Sequence, residues 1–273
     1  MKNIIKNSVI GYPLEHSFST VLHGPVYHSL GIEADIVKDA DDNIANLVDR
    51  IKNTPYELTA VTMPHKQSII NYLDEVDGVA KEIGAVNTVI NKNGKLTGYN
   101  TDVYGIEYAL RNVEIKNKNV LIVGAGGVAR PVAYFVGQAG GKSLFVNRTI
   151  EKAESLAKDF GGLVVDVEEL ESEDVDIIIN TTPVGMYPNI EESPVPKDFL
   201  RDKHIVFDII YNPIETKLLK DVKSVGAEII SGLDMFIAQG IRQIELWQGV
   251  EIDIEKYFDK LKKLLSNNLI PKT

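Results

Sequence analysis

Cysteine is absent from these 273 residues. Disulfides, thiolate metal sites and cysteine nucleophiles are excluded with it, which suits a reducing compartment. Positive charge is in short supply: 29 Lys and Arg stand against 39 Asp and Glu, a net charge of -10. A surface of that sign repels phosphate backbones, so no nucleic-acid partner is expected, and any anionic ligand must be met by local positive groups. Long apolar runs are missing too. No stretch approaches the ~20 residues of a membrane span, and the opening MKNIIKNSVIGYP lacks the apolar core of a signal peptide. A cytoplasmic protein with no membrane partner is expected. Histidine occurs five times, at His16, His23, His28, His65 and His204. No pair has metal-ligand spacing or a hydroxyl nucleophile beside it, so all five read as structural or exposed and no metal is expected.

What is present is the composition of an ordinary globular protein, 44% hydrophobic and 25% charged, with material for one or two cores. From Asn7 to Met63 the chain alternates strand and helix: NSVIG, a helix from about Ser19 to Leu30, ADIVKDA, the helix NIANLVDRIK, then YELTAVTM. That βαβαβ pattern implies a parallel sheet. A helix is expected to open at Pro64, where proline suits the first helical position, with SIINYL supplying its apolar side. AVNTVIN and KLTGYN flank Asn93-Gly94 as a tight hairpin. VYGIEYALRN reads as a connecting helix. VLIVG, SLFVN, VDIIIN, HIVFDII and AEIIS then form strands of a second doubly wound sheet, and the remainder is helical.

The segment Asn119 to Phe135, NVLIVGAGGVARPVAYF, carries the strongest local signal. Gly124, Ala125, Gly126, Gly127, Val128 and Ala129 fit G-x-G-x-x-G/A between a strand and a helix. Gly124 permits the sharp turn, Gly126 lets backbone approach a pyrophosphate, and Ala129 allows close helix–strand packing. The next strand ends in Asn147-Arg148-Thr149 with no carboxylate for ribose hydroxyls. Arg148 can instead pair with a 2'-phosphate while Asn147 and Thr149 hydrogen-bond, so NADP is favoured over NAD. A solvated arginine at a strand end is the plain alternative. Asn180-Thr181-Thr182-Pro183 ends VDIIIN at the carboxyl edge where such sheets bind ligands, so Thr181, Thr182 and Met186 are expected on the nicotinamide side.

Ahead of that turn lie polar positions with two readings each. Ser17 and Ser19 are two apart, so in an extended segment both hydroxyls face one side and can hold a carboxylate; Ser19 is equally a good helix N-cap. A lysine at Lys66, in the first turn of the expected helix, faces the positive end of its dipole at a cost of about 0.3–1 kcal/mol, which calls for a compensating purpose. Asn100, Thr101 and Asp102 form a capping signature before a helix.

The segments GYPLEHSFS, AVTMPHK, GAVNTV with GYNTD, VGAGGVAR with NRT, NTTPVGM, DIIYNP and GLDMFIAQG, in this order, resemble the shikimate dehydrogenase family over nearly the whole chain. The resemblance implies an α/β fold: a substrate domain over 1–102, a Rossmann doubly wound domain over 103–237, and C-terminal helices from about 238 to 273 packing back on the first. It implies NADP-linked interconversion of 3-dehydroshikimate and shikimate. Lys66 and Asp102 match the family's catalytic pair, with Lys66 moving the proton at the reacting oxygen. Ser17, Ser19, Thr62, Asn87, Tyr211 and Gln239 match substrate-binding positions, and Gly232 joins the cofactor set. A homodimer is one assembly open to it. Three positions depart from the family pattern: Ala60 replaces asparagine, Thr20 replaces proline and Val103 replaces glycine. All three touch the substrate side and leave quinate or a related cyclitol carboxylate as the alternative substrate, and an NADP-binding sensor without turnover as the alternative class.

Overall fold

The computed structural model describes residues 5–15, 17–54, 56–166, 168, 171 and 174–269. His16 lies outside them. Two compact units emerge, one made of the chain up to Tyr104 together with Ile237–Asn268, the other of Gly105–Phe236.

The first unit contains β1 (Ile5–Gly11), α1 (Ser19–Ser29), β2 (Ala34–Ala40), α2 (Ile44–Asn53), β3 (Leu58–Val61), β4 (Glu75–Val76), α3 (Gly78–Ile83), β5 (Thr88–Lys92) and β6 (Lys95–Tyr99). Among the described residues its sheet runs β2-β1-β3-β5-β6-β4. β1 is parallel to β2 and β3, as the alternation predicts, but β5 is antiparallel to both β3 and β6, so the sheet is mixed. The β5–β6 turn is the expected hairpin: Asn93 and Gly94 have φ of 56° and 86°, the positive pair a two-residue turn of this kind requires. In α2 the apolar positions Ile44, Leu47, Val48 and Ile51 fall on one stripe and join Ile10, Val61 and Val89 in the core. Asn43 starts that helix by accepting the Ala45 N–H at 2.9 Å.

No helix opens at Pro64. Residues 63–67 are turns, followed by a 3-10 helix over Ser68–Tyr72. The reason is tertiary: the Lys66 carbonyl accepts the Val86 N–H at 2.7 Å, so it is committed to the segment leading into β5 instead of to a helical turn. The dipole argument for Lys66 falls with that helix. The short β4 and α3 also lie outside the sequence expectation.

The chain continues through α4 (Asp102–Ala109), β7 (Asn119–Val123), α5 (Ala129–Gln138), β8 (Lys142–Val146), α6 (Ile150–Phe160), β9 (Leu163–Val164), β10 (Ile177–Asn180), β11 (Ile205–Asp208), α7 (Lys217–Ser224) and β12 (Glu228–Ser231). The second unit's sheet is parallel throughout in the order β12-β11-β10-β7-β8-β9. Its central strands read as continuous apolar runs because both faces are covered. Val120, Ile122, Ile177 and Ile179 pack on one side, Leu121, Val123, Ile178 and Val206 on the other. Two helices close the chain, α8 (Gly232–Gln248) and α9 (Ile254–Leu269). The unit boundaries fall inside α4 and α8.

Candidate active site

Strand direction gathers the polar residues of the first unit at one sheet edge. β1 and β3 run parallel and end there, β5 begins there with Thr88 opposite Ala60, and β6 returns there with Tyr99 opposite Thr88. The segments at that edge carry Ser17 and Ser19, Thr62 and Lys66, Asn87, and Asp102.

Lys66 is only 8% exposed and Asp102 only 4%. The Lys66 ammonium donates to Asp102 Oδ2 at 2.6 Å. Two charges taken this far out of water are tolerable only when paired and further hydrogen-bonded. Asn87 supplies the further bond, its Nδ2 donating to Asp102 Oδ1 at 2.8 Å. Asn87 Oδ1 in turn accepts the Thr101 N–H at 2.7 Å and the Thr88 hydroxyl at 2.8 Å. Gln239 Oε1 lies 3.4 Å from Asn87 Nδ2. The capping signature is present as well, carried by Asn100, whose Oδ1 accepts the Asp102 N–H at 3.1 Å. The Asp102 carboxylate is thereby left for Lys66.

Ser17 and Ser19 are half-buried with their hydroxyl oxygens 3.3 Å apart, on one side as their spacing suggests. Ser19 is the first residue of α1 and Phe18 takes the cap position without a side-chain bond, so N-capping is not Ser19's role. Thr62 follows β3 and donates its N–H to Ile10 at 2.9 Å. Its methyl sits against Gly11, where a β-carbon would come within 2.5 Å. Ala60 is buried in an apolar group with Val9 and Leu14.

In the second unit the strand order reverses between β7 and β10, and the carboxyl ends of those strands make the crevice where doubly wound sheets take ligands. Gly124 has φ of 107°, and a β-carbon there would lie 2.7 Å from Thr181 Oγ1 and 2.8 Å from Thr182 Cγ2. Only glycine suits that turn. Over Gly126, by contrast, a β-carbon would meet no atom within 4 Å, so its backbone is open to close approach. Val128 takes the cap position of α5 with no side-chain bond, and the turn closes on itself, the Ala129 N–H on the Gly126 carbonyl at 3.1 Å and the Val132 N–H on the Val128 carbonyl at 3.3 Å. Arg148 stands exposed just after β8. Asn147 Nδ2 donates to the Thr149 carbonyl at 2.8 Å, shaping the turn around it. These features suit a dinucleotide with an extra phosphate.

Thr181 donates its hydroxyl to the Val123 carbonyl at 2.8 Å, tying β10 to the glycine turn. Asn180 Oδ1 accepts both the N–H and the hydroxyl of Thr182, at 2.9 and 2.7 Å, while its Nδ2 donates to Asp208 at 2.9 Å. Burial pushes the Asp208 carboxyl up to about 6 despite the Thr216, Ile210 and Asn180 donors around it. Met186 is half-buried in the following turn, its N–H on the Pro183 carbonyl at 3.0 Å. Gly232 has a packing explanation: a β-carbon would fall 2.1 Å from the Ile209 carbonyl oxygen. Tyr211 stacks on Phe236 at 4.2 Å, both within the second unit.

Three of the described histidines set aside from sequence, His23, His65 and His204, are buried in ways their spacing does not reveal. His65 Nε2 meets the Asp41 carbonyl at 2.8 Å, and His23 is fully covered beside Tyr27. Gln243, buried against Thr88, carried no sequence signal except its place four residues after Gln239 on α8.

Comparison with known proteins adds a second line of support. Residues 9–89 match the family model described as the shikimate dehydrogenase substrate binding domain, and residues 107–223 that of shikimate / quinate 5-dehydrogenase. A shikimate dehydrogenase (NADP(+)) of Methanocaldococcus jannaschii is 43% identical over 90% of this chain and 92% of its own length. One from Bacillus cereus is 41% identical over 91% and 94%. The crystal structure of a Thermus thermophilus shikimate 5-dehydrogenase in complex with NADP(H) and shikimate superposes with a TM-score of 0.87 at 31% identity, covering 95% of this chain and 99% of that one.

Proposed function

This chain belongs to the shikimate dehydrogenase family, and from that membership we propose that it is an NADP-dependent oxidoreductase interconverting 3-dehydroshikimate and shikimate. The observation that carries the reading is the buried Lys66–Asp102 pair with Asn87 on its far oxygen. Bound NADP supplies or accepts the hydride. Gly124, Gly126 and the start of α5 would hold its pyrophosphate, Arg148 its 2'-phosphate, and Thr181, Thr182 and Met186 its nicotinamide end.

The remaining work is proton transfer and grip. In our reading Lys66 gives a proton to the ketone oxygen during reduction and takes it back from the hydroxyl during oxidation. Asp102 holds the ammonium in place through Oδ2, and Asn87 keeps the carboxylate from turning away. The paired hydroxyls of Ser17 and Ser19 are suited to a carboxylate, which a hydroxyl can bind without adding charge. Thr62, Asn87, Gln239 and Tyr211 would address ring hydroxyls.

Ala60 favours a second reading. A buried alanine among Val9 and Leu14 offers no amide where the family pattern has asparagine, so quinate or a related cyclitol carboxylate competes as substrate. The deciding experiment follows reduced-nicotinamide formation with shikimate and NADP beside quinate and NAD. Fast NADP-specific oxidation of shikimate is the expected result. A larger specificity constant for quinate would select the second reading, and no turnover with either acid would overturn both.

A further inference from the structure

The Lys66–Asp102 pair is the end of a longer buried hydrogen-bond chain within the first unit. At the far end Asn7 Oδ1 accepts the Leu58 N–H at 3.0 Å, which fixes the amide so that Nδ2 donates to the Tyr27 hydroxyl at 2.9 Å. Tyr27 therefore turns its own proton toward His23 Nδ1, 3.0 Å away. A ring accepting at Nδ1 carries its proton on Nε2, and its remaining hydrogen bond is to the Gln243 side chain. Burial supports this neutral form, holding the His23 pKa down at about 4. With its oxygen taken by His23, Gln243 presents Nε2, which donates to Thr88 Oγ1 at 3.1 Å and to the Asn87 carbonyl at 3.3 Å. Thr88 then sends its hydroxyl proton to Asn87 Oδ1 at 2.8 Å, the nearer of two acceptors, Thr101 Oγ1 being 3.3 Å away.

We propose that Gln243, oriented by His23, is a positioning residue for the reaction: it fixes Thr88 as a second donor to Asn87 Oδ1, beside the Thr101 N–H at 2.7 Å, and so helps to hold the Asn87 amide with Nδ2 toward Asp102. The spacing on α8 agrees. Gln239 and Gln243 are four apart and share one helix face, so α8 meets Asn87 at its side-chain amide with one glutamine and at its carbonyl with the other. The chain begins at a backbone N–H and passes through amides, which hold direction but do not relay protons readily, so its task is orientation. Loss of Gln243 leaves the Thr88 hydroxyl free to turn toward Thr101 Oγ1, 3.3 Å away, and slackens Asn87 against the Asp102 carboxylate.

The inference rests on the function proposed above, so its test has one readout that needs no turnover. Gln243→Met keeps the volume and removes the amide. Losing one buried hydrogen-bond partner predicts a fall in kcat of about tenfold with shikimate and NADP, with the KM for NADP unchanged. In the ligand-free protein the Asn87 side-chain amide protons, followed by nuclear magnetic resonance, should exchange with solvent about tenfold faster. Thr88→Val should reproduce both effects and Thr88→Ser should restore them. If Gln243→Met does not fold, the Thr88 pair decides by the same readouts. Wild-type kcat and wild-type Asn87 exchange in Gln243→Met or Thr88→Val, whatever happens to Tm, would overturn the proposal. Absence of turnover in the wild type would instead overturn the function, and the exchange measurement would still decide this one.

Discussion

Lys66→Met separates the chemical from the structural role of the buried pair. Methionine keeps most of the stem and deletes the ammonium, so Asp102 keeps its 2.8 Å bond from Asn87 and loses its 2.6 Å partner. The two side chains are 10% and 6% exposed, so water screens little of the loss. Stranding one member of a buried ion pair costs about 3–5 kcal/mol. The lower end applies here, because Asn87 still donates to Asp102 and the carboxylate sits at the N-terminus of α4, where the dipole returns about 0.3–1 kcal/mol. Removal of a positioned acid/base group lowers kcat by about 10²–10⁴, or about 3–5 kcal/mol of barrier. The double variant Lys66→Met/Asp102→Asn discriminates between the two effects. With no charge left to strand, it should regain most of the stability and none of the activity. Steady-state rates at saturating shikimate and NADP give the first quantity, urea unfolding midpoints the second. Turnover close to wild type in Lys66→Met would refute the proton-transfer role, and a double variant no more stable than the single one would refute the buried-charge reasoning.

Three further outcomes are expected. Arg148→Leu removes charge-assisted bonds to a 2'-phosphate and should raise the KM for NADP by about 10–100-fold while leaving that for NAD in place; equal effects on both cofactors would return Arg148 to an ordinary exposed arginine. Gly124→Ala forces a side chain into φ of 107° and a β-carbon to 2.7 Å from Thr181 Oγ1, so Tm and NADP affinity should fall together at a cost of about 1–3 kcal/mol, and an unaltered NADP titration would count against the turn's proposed place under the pyrophosphate. Burial lowers the His23 pKa from 6.5 to about 4, so its contribution to stability is complete above pH 6.5 and is lost as pH falls through 4, by about 3 kcal/mol. Asp208, raised from 3.8 to about 6, acts with the opposite sign, its contribution complete below 3.8 and lost as pH rises through 6. His23→Gln should therefore flatten the acid limb of stability between pH 6.5 and 4, and a slope unchanged in urea titrations would remove His23 from that account.

The glycine turn was legible because all its causes are local: a strand, a residue needing positive φ, an open backbone position and a helix start follow one another within eleven residues, Asn119 to Ala129. The hairpin at Asn93-Gly94 was legible for the same reason. The helix expected at Pro64 failed because its decisive bond is not local, the Lys66 carbonyl being taken by Val86, twenty residues on. The two-residue strands β4 and β9 are too short for any periodicity to register.

The candidate site divides in the same way. Lys66, Asp102 and Asn87 could be named from motifs, but each motif had a local alternative, and what favours the chemical reading is three segments converging at one sheet edge. His23 shows why the rest could not be read. Judged by metal spacing it is inert, and judged by burial it is a core residue. Its place depends on which way hydrogen bonds point through Asn7, Tyr27, Gln243 and Thr88, which come from β1, α1, α8 and β5. Direction in such a chain is set by the members with no choice, the backbone N–H groups of Leu58 at one end and Thr101 at the other. Residue types along the sequence fix which groups can donate, but only the assembled fold fixes which of them must.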